Sequence, residues 1–247
     1  MSNVIAALVN ALKSLFHPKM LALIFWPILV AMLLWVGAAM FFWGSWIANL
    51  TGLVQATPLE QWMAQGMFAV VAHYLISIIL VLLLLPAIYV TALVITAVFA
   101  MPAMVDHVAG KYYPELERKQ GGSTTGNIAN ALLAVGIYGA GWVVSLPLWL
   151  FSPLALVLPI LLMAYLNQRL FRYDALAEHA SKEEFALVIE RATPRLYLLG
   201  ALVGLLQFVP VLNFFAPVYV GLAFIHLCLG ELRQLRRSAQ DAAMFSG

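Results

Sequence analysis

Only a handful of positions in this 247-residue sequence combine a reactive side chain with a setting that could use it. His17, Pro18, Lys19 and Met20 stand together, and Pro18 suits the first position of a helix, where its missing N–H would have no partner anyway. Lys19 in that first turn could contact an anion; the alternative is a basic anchor where a membrane helix leaves the bilayer. His17 carries the same ambiguity. His73 and Ser77 are four residues apart, so on a helix they share a face and could line a polar path, or His73 could simply be wet near an interface. Asn213 lies between Pro210 and Pro217, where it suits a turn, either capping two helix ends or meeting a solute. Cys228 is the single cysteine, in an apolar run, so it implies neither a disulfide framework nor a metal set. It reads as a small hydrophobe in a helix. The sequence holds no phosphate-binding glycine loop, no HExxH, and no nucleophile that can be paired with a base. Neither catalysis nor a cofactor is expected.

The elements that must hold these residues follow from charge. Hydrophobic residues make up 64% of the chain and charged ones 10%, against about 25% charged in a soluble domain. Asp, Glu, Lys and Arg are absent from 20–59, 61–105, 120–168 and 196–230. One helical crossing of a bilayer needs only about 20 apolar residues, and a soluble helix of such length would show a polar face. The chain is therefore expected in a lipid bilayer. Net charge is only +2, in short separated clusters, so no nucleic-acid partner is expected. The N-terminus lacks the pattern of a cleaved signal peptide.

Residues 3–16 read as an amphipathic helix, with Val4, Ile5, Leu8, Leu12, Leu15 and Phe16 on one face. It suits the membrane interface or packing on the rest of the protein. A first crossing is expected over 18–46 and a second over 62–105, the second long enough to tilt or to kink at Pro86. The third apolar stretch, 128–167, is cut at Leu146–Pro153 into a helical hairpin. The polar segment 169–195 is helical, with a capping box at Ser181 and Glu184. The last stretch, 196–229, divides at Pro210–Asn213 into halves of about 12–14 residues, short of a crossing, so it reads as a re-entrant hairpin. The small-residue faces Gly200/Gly204 and Gly136/Gly139/Ala140 suit close helix packing. All 13 Lys and Arg fall at the N-terminus, in 106–122, in 169–195 and at the C-terminus, and none falls in 49–60. Two crossings plus two hairpins put every basic segment on one side, which the positive-inside rule makes cytoplasmic. The expected fold class is an all-α integral membrane protein with an interfacial N-terminal helix, two long transmembrane helices and two helical hairpins, at least the last one re-entrant. No acid lies inside an apolar stretch, which favours passive conduction over proton-coupled pumping.

Three motifs carry a resemblance. The run His17-Pro18-Lys19-Met20-Leu21-Ala22 is followed by a second proline at Pro27; Ala100-Met101-Pro102 precedes a polar segment; and Gly200-Ala201-Leu202 leads to Pro210-Val211-Leu212-Asn213-Phe214-Phe215 and Pro217. In order and spacing these resemble the CysZ-type sulfate permeases of the wider etoposide-induced-protein superfamily, over nearly the whole chain. The resemblance implies the layout just derived, inward passage of sulfate for cysteine biosynthesis, a bacterial-type inner membrane, and homo-oligomers. It also implies an oxyanion site at the start of the helix opening at Pro18. There the family pattern has a glycine and two arginines, where this chain has Lys19, Leu21 and Ala22. The expected partners are thus sulfate or a similar oxyanion, the bilayer and further copies of the chain, in a single orientation given the one-sided charge. The expected anion contacts are Lys19, His17 and the backbone of Pro18 and Met20.

Overall fold

The computed structural model describes residues 2–55, 67–150 and 152–245. Regular structure among them is helical throughout: α1 (Ser2–Leu15), α2 (Pro18–Gln55), α3 (Met67–Tyr112), α4 (Thr124–Ser145), a 3-10 turn (Leu146–Leu150), α5 (Ser152–Leu176), α6 (Lys182–Leu205), a second 3-10 turn (Leu206–Phe208) and α7 (Pro210–Phe245). Four stretches are long and apolar enough to cross a membrane: Pro18–Leu53, Tyr74–Tyr112, Thr125–Leu150 and Phe215–Phe245. The protein is an all-helical, multi-pass membrane protein. It divides into two compact units, residues 22–98 and residues 1–21 with 99–247.

The unit 22–98 consists of the bodies of α2 and α3. Their 38 and 46 residues correspond to about 57 and 69 Å of helix at 1.5 Å per residue, about twice a ~30 Å hydrocarbon core. The indole N–H of Trp35 donates to Thr91 Oγ1 at 2.9 Å, tying the two helices. Phe41 and Met40 are more than 80% exposed, as befits side chains that meet lipid rather than water. Both helices outrun the expected bounds. Helix α2 continues past residue 46 to Gln55, and α3 runs unbroken through Pro86 to Tyr112. Aromatics and single glycines do not stop a helix whose backbone has no competing partner in lipid. The expected turn at 49–60 is helical through Gln55, and its remainder, with the start of the second crossing at 62–66, lies outside the described residues.

The other unit is built around α7, which packs against α1, α5 and α6. Its Val218, Leu222, Ala223, Phe224, Ile225, Leu229 and Leu232 are buried, and Phe224 stacks on Phe171 of α5 at 5.6 Å. Helix α1 sets Val4, Ala7, Ala11, Ser14 and Leu15 against it and leaves Ile5, Leu12 and Phe16 exposed. The small residues allow close packing, and the large ones form an apolar outer face. The packing expected of this helix is therefore made by its small-residue face.

The third stretch breaks where expected, at Leu146–Leu150, but α5 then continues through Arg169 to Leu176, so 169–176 is the end of a hairpin helix rather than a new segment. The Ser181–Glu184 capping box is present in full. The last turn needs correction. The chain turns at Leu206–Val209, Pro210 opens α7 at the position where a proline costs no hydrogen bond, and Pro217 sits inside the helix. Pro217 cannot donate to the carbonyl of Asn213, yet one missing bond in the first two turns does not end the helix. Of the two small-residue faces, Gly200 is a true crossing point: a Cβ there would stand 2.8 Å from the Ala164 carbonyl oxygen. A Cβ on Gly136 or Gly139 would meet nothing within 4 Å; the approach on α4 is made by Gly141, against Leu162. The packed face of α4 is Asn130, Ala134 and Gly141, with Asn130 Nδ2 donating to the Arg169 carbonyl at 3.0 Å.

Candidate functional site

Helix α1 ends at Leu15, and a two-residue link leads into α2. The first turn of any helix leaves backbone N–H groups without intrahelical partners. Here His17 takes them up. Its carbonyl accepts the N–H groups of Met20 at 2.8 Å and Leu21 at 3.1 Å, and its ring Nδ1 accepts that of Lys19 at 3.3 Å. Pro18 has no N–H to offer. The Met20 side chain is 2% exposed and anchors the turn, whereas Pro18 and Lys19 are exposed and His17 half-buried. What faces outward at this helix start is the Lys19 ammonium and part of an imidazole.

A second imidazole completes the cluster. The ring of His107, near the end of α3, lies 4.5 Å from that of His17, and Lys19 and Lys111 both act on it electrostatically. Two ammonium groups thus stand beside two imidazoles at the start of α2, and the lysines supply positive charge that attracts anions without gripping them in a bidentate fork. His107 escaped the sequence reading because it sits among polar residues that pass for a solvated segment. Its position one turn before Lys111 was the available signal. Deeper in the same unit, Ser14 Oγ and His226 Nε2 are 3.0 Å apart, and Tyr113 donates its hydroxyl to the His226 carbonyl at 3.0 Å.

The other sequence candidates lie elsewhere. His73 and Ser77 both lie on α3 in the unit 22–98, and Ser77 is half-buried. Asn213 is exposed in the first turn of α7, its N–H bonded to the Val209 carbonyl at 2.8 Å, so it belongs to a helix start and not to the tip of a turn.

The polar end of the molecule is organised by Arg236 of α7. Its guanidinium grips Glu184 with two nitrogens at 3.0 and 3.1 Å and donates to the carbonyls of His179 at 2.7 Å and Glu117 at 3.2 Å. Lys119 donates to Glu184 at 2.7 Å, and the Ser181 N–H does so at 2.9 Å. Burial works to raise the Glu184 pKa, but the bonds from Arg236, Lys119 and Ser181 prevail and hold it at about 2. Arg118 pairs with Asp106 and Glu178, Arg233 with Glu115, and Arg195 with Glu231, which also accepts from Asn3 of α1 at 2.9 Å. Three of the four basic segments therefore meet in one ion-pair network, and the fourth is tied to it through Asn3.

No curated protein and no solved structure matches the chain. The family model described as sulfate transporter CysZ/etoposide-induced protein 2.4 matches residues 7–217, a span that includes the start of α2, the ion-paired segment after α3 and the first turns of α7. The chain belongs to the sulfate transporter CysZ/etoposide-induced protein 2.4 family.

Proposed function

We propose that this protein is a passive permease for a small oxyanion, sulfate first, serving sulfur assimilation and cysteine biosynthesis from a bacterial-type inner membrane as a homo-oligomer. The observation that carries the reading is the family match over residues 7–217, because that family is one of membrane sulfate transporters. The chemistry supports it in two ways. Lys19 and Lys111 bring positive charge to the neighbouring rings of His17 and His107, which supports an anion entrance there. The charge-free apolar stretches supply no carboxylate with which to couple transport to protons. Labelled sulfate flux into liposomes containing the pure protein tests it. Uptake should follow the sulfate gradient and persist when a proton gradient is collapsed, and flux no greater than in protein-free liposomes defeats the proposal.

One observation favours a second reading, a membrane scaffold of the same fold that carries no solute. The N–H donors that would receive an anion at the start of α2 are already engaged by His17, and Leu21 and Ala22 replace a fork-bearing pair. The double variant Leu21→Arg, Ala22→Arg separates the two. Gain of sulfate binding by the variant over a wild type that has none assigns the wild type to the scaffold role.

A further inference from the structure

A buried guanidinium without an ion pair among the described residues lies away from the entrance, on α5. Arg172 is 8% exposed. Its guanidinium carries five N–H donors and cannot be neutralised by losing a proton. Arg118, Arg195, Arg233, Arg236 and Arg237 all have carboxylate partners, whereas Arg172 has none among the described residues. The groups that act on it are Arg169, which repels it, the thiol of Cys228, and the phenols of Tyr165 and Tyr197, and none of these is a carboxylate. The nearest acid in sequence, Asp174, is hydrogen-bonded to Asn127 instead.

The face of α5 that carries Arg172 holds a second guanidinium with a buried donor lacking an acceptor. Tyr165, Gln168, Arg169 and Arg172 recur at spacings of three and four, so they share one face of α5. Arg169 Nε is buried without an acceptor. Helices α6 and α7, which supply Tyr197 and Cys228, close over this face. A buried cation persists only when something compensates it, and nothing described in the chain does. We propose that Arg172 and Arg169 hold a partly dehydrated oxyanion of the sulfate or phosphate class, Arg172 as the inner fork and half-buried Arg169 as the outer one. Two guanidinium groups one helical turn apart offer the paired N–H geometry that such an anion accepts. This deepens the oxyanion reading by naming a second, enclosed site for the same ligand class, on residues independent of the start of α2. The anion could be free in solution or could be a phospholipid headgroup.

The test uses the full chain, purified in detergent and delipidated. Labelled sulfate binding is measured by equilibrium dialysis, and melting temperature is followed in sulfate against chloride at equal ionic strength. Arg172→Gln should weaken sulfate binding about ten- to a hundredfold, the value of losing charged hydrogen bonds, and Arg172→Lys should fall between. In anion-free buffer Arg172→Gln should melt no lower than wild type, because the uncompensated charge is gone, which separates loss of a ligand from loss of the fold. A parallel arm replaces sulfate with phosphatidylglycerol nanodiscs. Stabilisation there alone, abolished by Arg172→Gln, identifies the headgroup as the bound oxyanion. If Arg172→Gln leaves the sulfate and lipid responses as in wild type, or if wild type shows neither response, the site does not exist. Lys19→Ala measured alongside keeps the two sites apart: flux unchanged in Lys19→Ala with the Arg172-dependent binding intact would count against the entrance alone.

Discussion

At the start of α2 a single ammonium group stands where two guanidinium forks would be expected, and the magnitude of its contribution is bounded. A charge near an exposed helix terminus contributes about 0.3–1 kcal/mol, and up to ~2 kcal/mol when partly buried. Lys19→Ala should therefore weaken sulfate binding several-fold to roughly thirtyfold, read by the same dialysis assay, with expression and particle size unchanged. Two acids make opposite predictions for stability. Glu184 has its pKa lowered from 4.5 to about 2. Its contribution is thus complete above pH 4.5 and lost as pH falls toward 2, on the order of 3 kcal/mol at 1.36 kcal/mol per pKa unit. Asp174 is raised by burial from 3.8 to about 6, against a hydrogen bond from Asn127 that lowers it. Its contribution is complete below pH 3.8 and lost as pH rises through 6. Melting temperature against pH should show both limbs. Glu184→Gln should flatten the acid limb and Asp174→Asn the one below pH 6; a wild-type curve flat from pH 3 to 7 would refute both assignments. Chemistry at this scale was only partly legible in the sequence. Lys19 and His17 could be picked out by their place beside Pro18, but His107 and Arg172 gain meaning only when folding brings an imidazole to His17 and denies Arg172 a carboxylate.

Helix boundaries were more legible, because most are set by local rules. Ser181 with Glu184 caps α6, Ser123 caps α4 by accepting the Gly126 N–H at 3.0 Å, and Pro18 opens α2. The misjudged boundary, Pro210–Pro217, shows where local rules fail. A proline is compatible with a first helical turn or with a loop, and the choice is made by burial: from Ala216 onward, α7 fills the centre of its unit. Small residues are ambiguous for the same reason, since Gly136 and Gly200 look alike until a partner helix is placed. Gly200→Ala drives a methyl group into the Ala164 backbone at 2.8 Å and should destabilise the protein by about 1–3 kcal/mol. Gly136→Ala meets open space and should be neutral or stabilising by up to about 1 kcal/mol through helix propensity. Unfolding in graded detergent mixtures ranks the two, and equal losses would mean that the α5–α6 crossing is not as close as described.

For the whole molecule, the distribution of charge and the ion-pair network bear on the same question, which side of the membrane the polar segments occupy. Arg118 and Lys119 of 106–122, Arg195 of 169–195, and Arg233 and Arg236 at the C-terminus pair with Glu178, Glu184, Glu231 and Glu115, and α1 joins them through Asn3. Segments bonded to one another cannot lie on opposite faces of a bilayer, so the positive-inside rule, applied to any one of them, applies to all. Residues 49–60 carry no Lys or Arg, so the same rule predicts the opposite face for them. The depth of the Leu206–Val209 turn is limited by its shorter arm. From Arg195, which is held at the polar end by Glu231, α6 extends ten residues to Leu205, about 15 Å of helix, half of a ~30 Å hydrocarbon core. In a Cys228→Ala background, an impermeant thiol reagent applied to intact cells should label Gln55→Cys, spare Lys182→Cys, and spare Leu212→Cys. Labelling at 182 without 55 would invert the topology, and equal labelling at both would mean that the chain inserts in two orientations despite its charge bias. Rapid labelling at 212 alone would leave the sidedness intact but turn the final hairpin into a full crossing. In that case α7, buried as it is, would be a transmembrane helix surrounded by protein rather than one arm of a re-entrant pair.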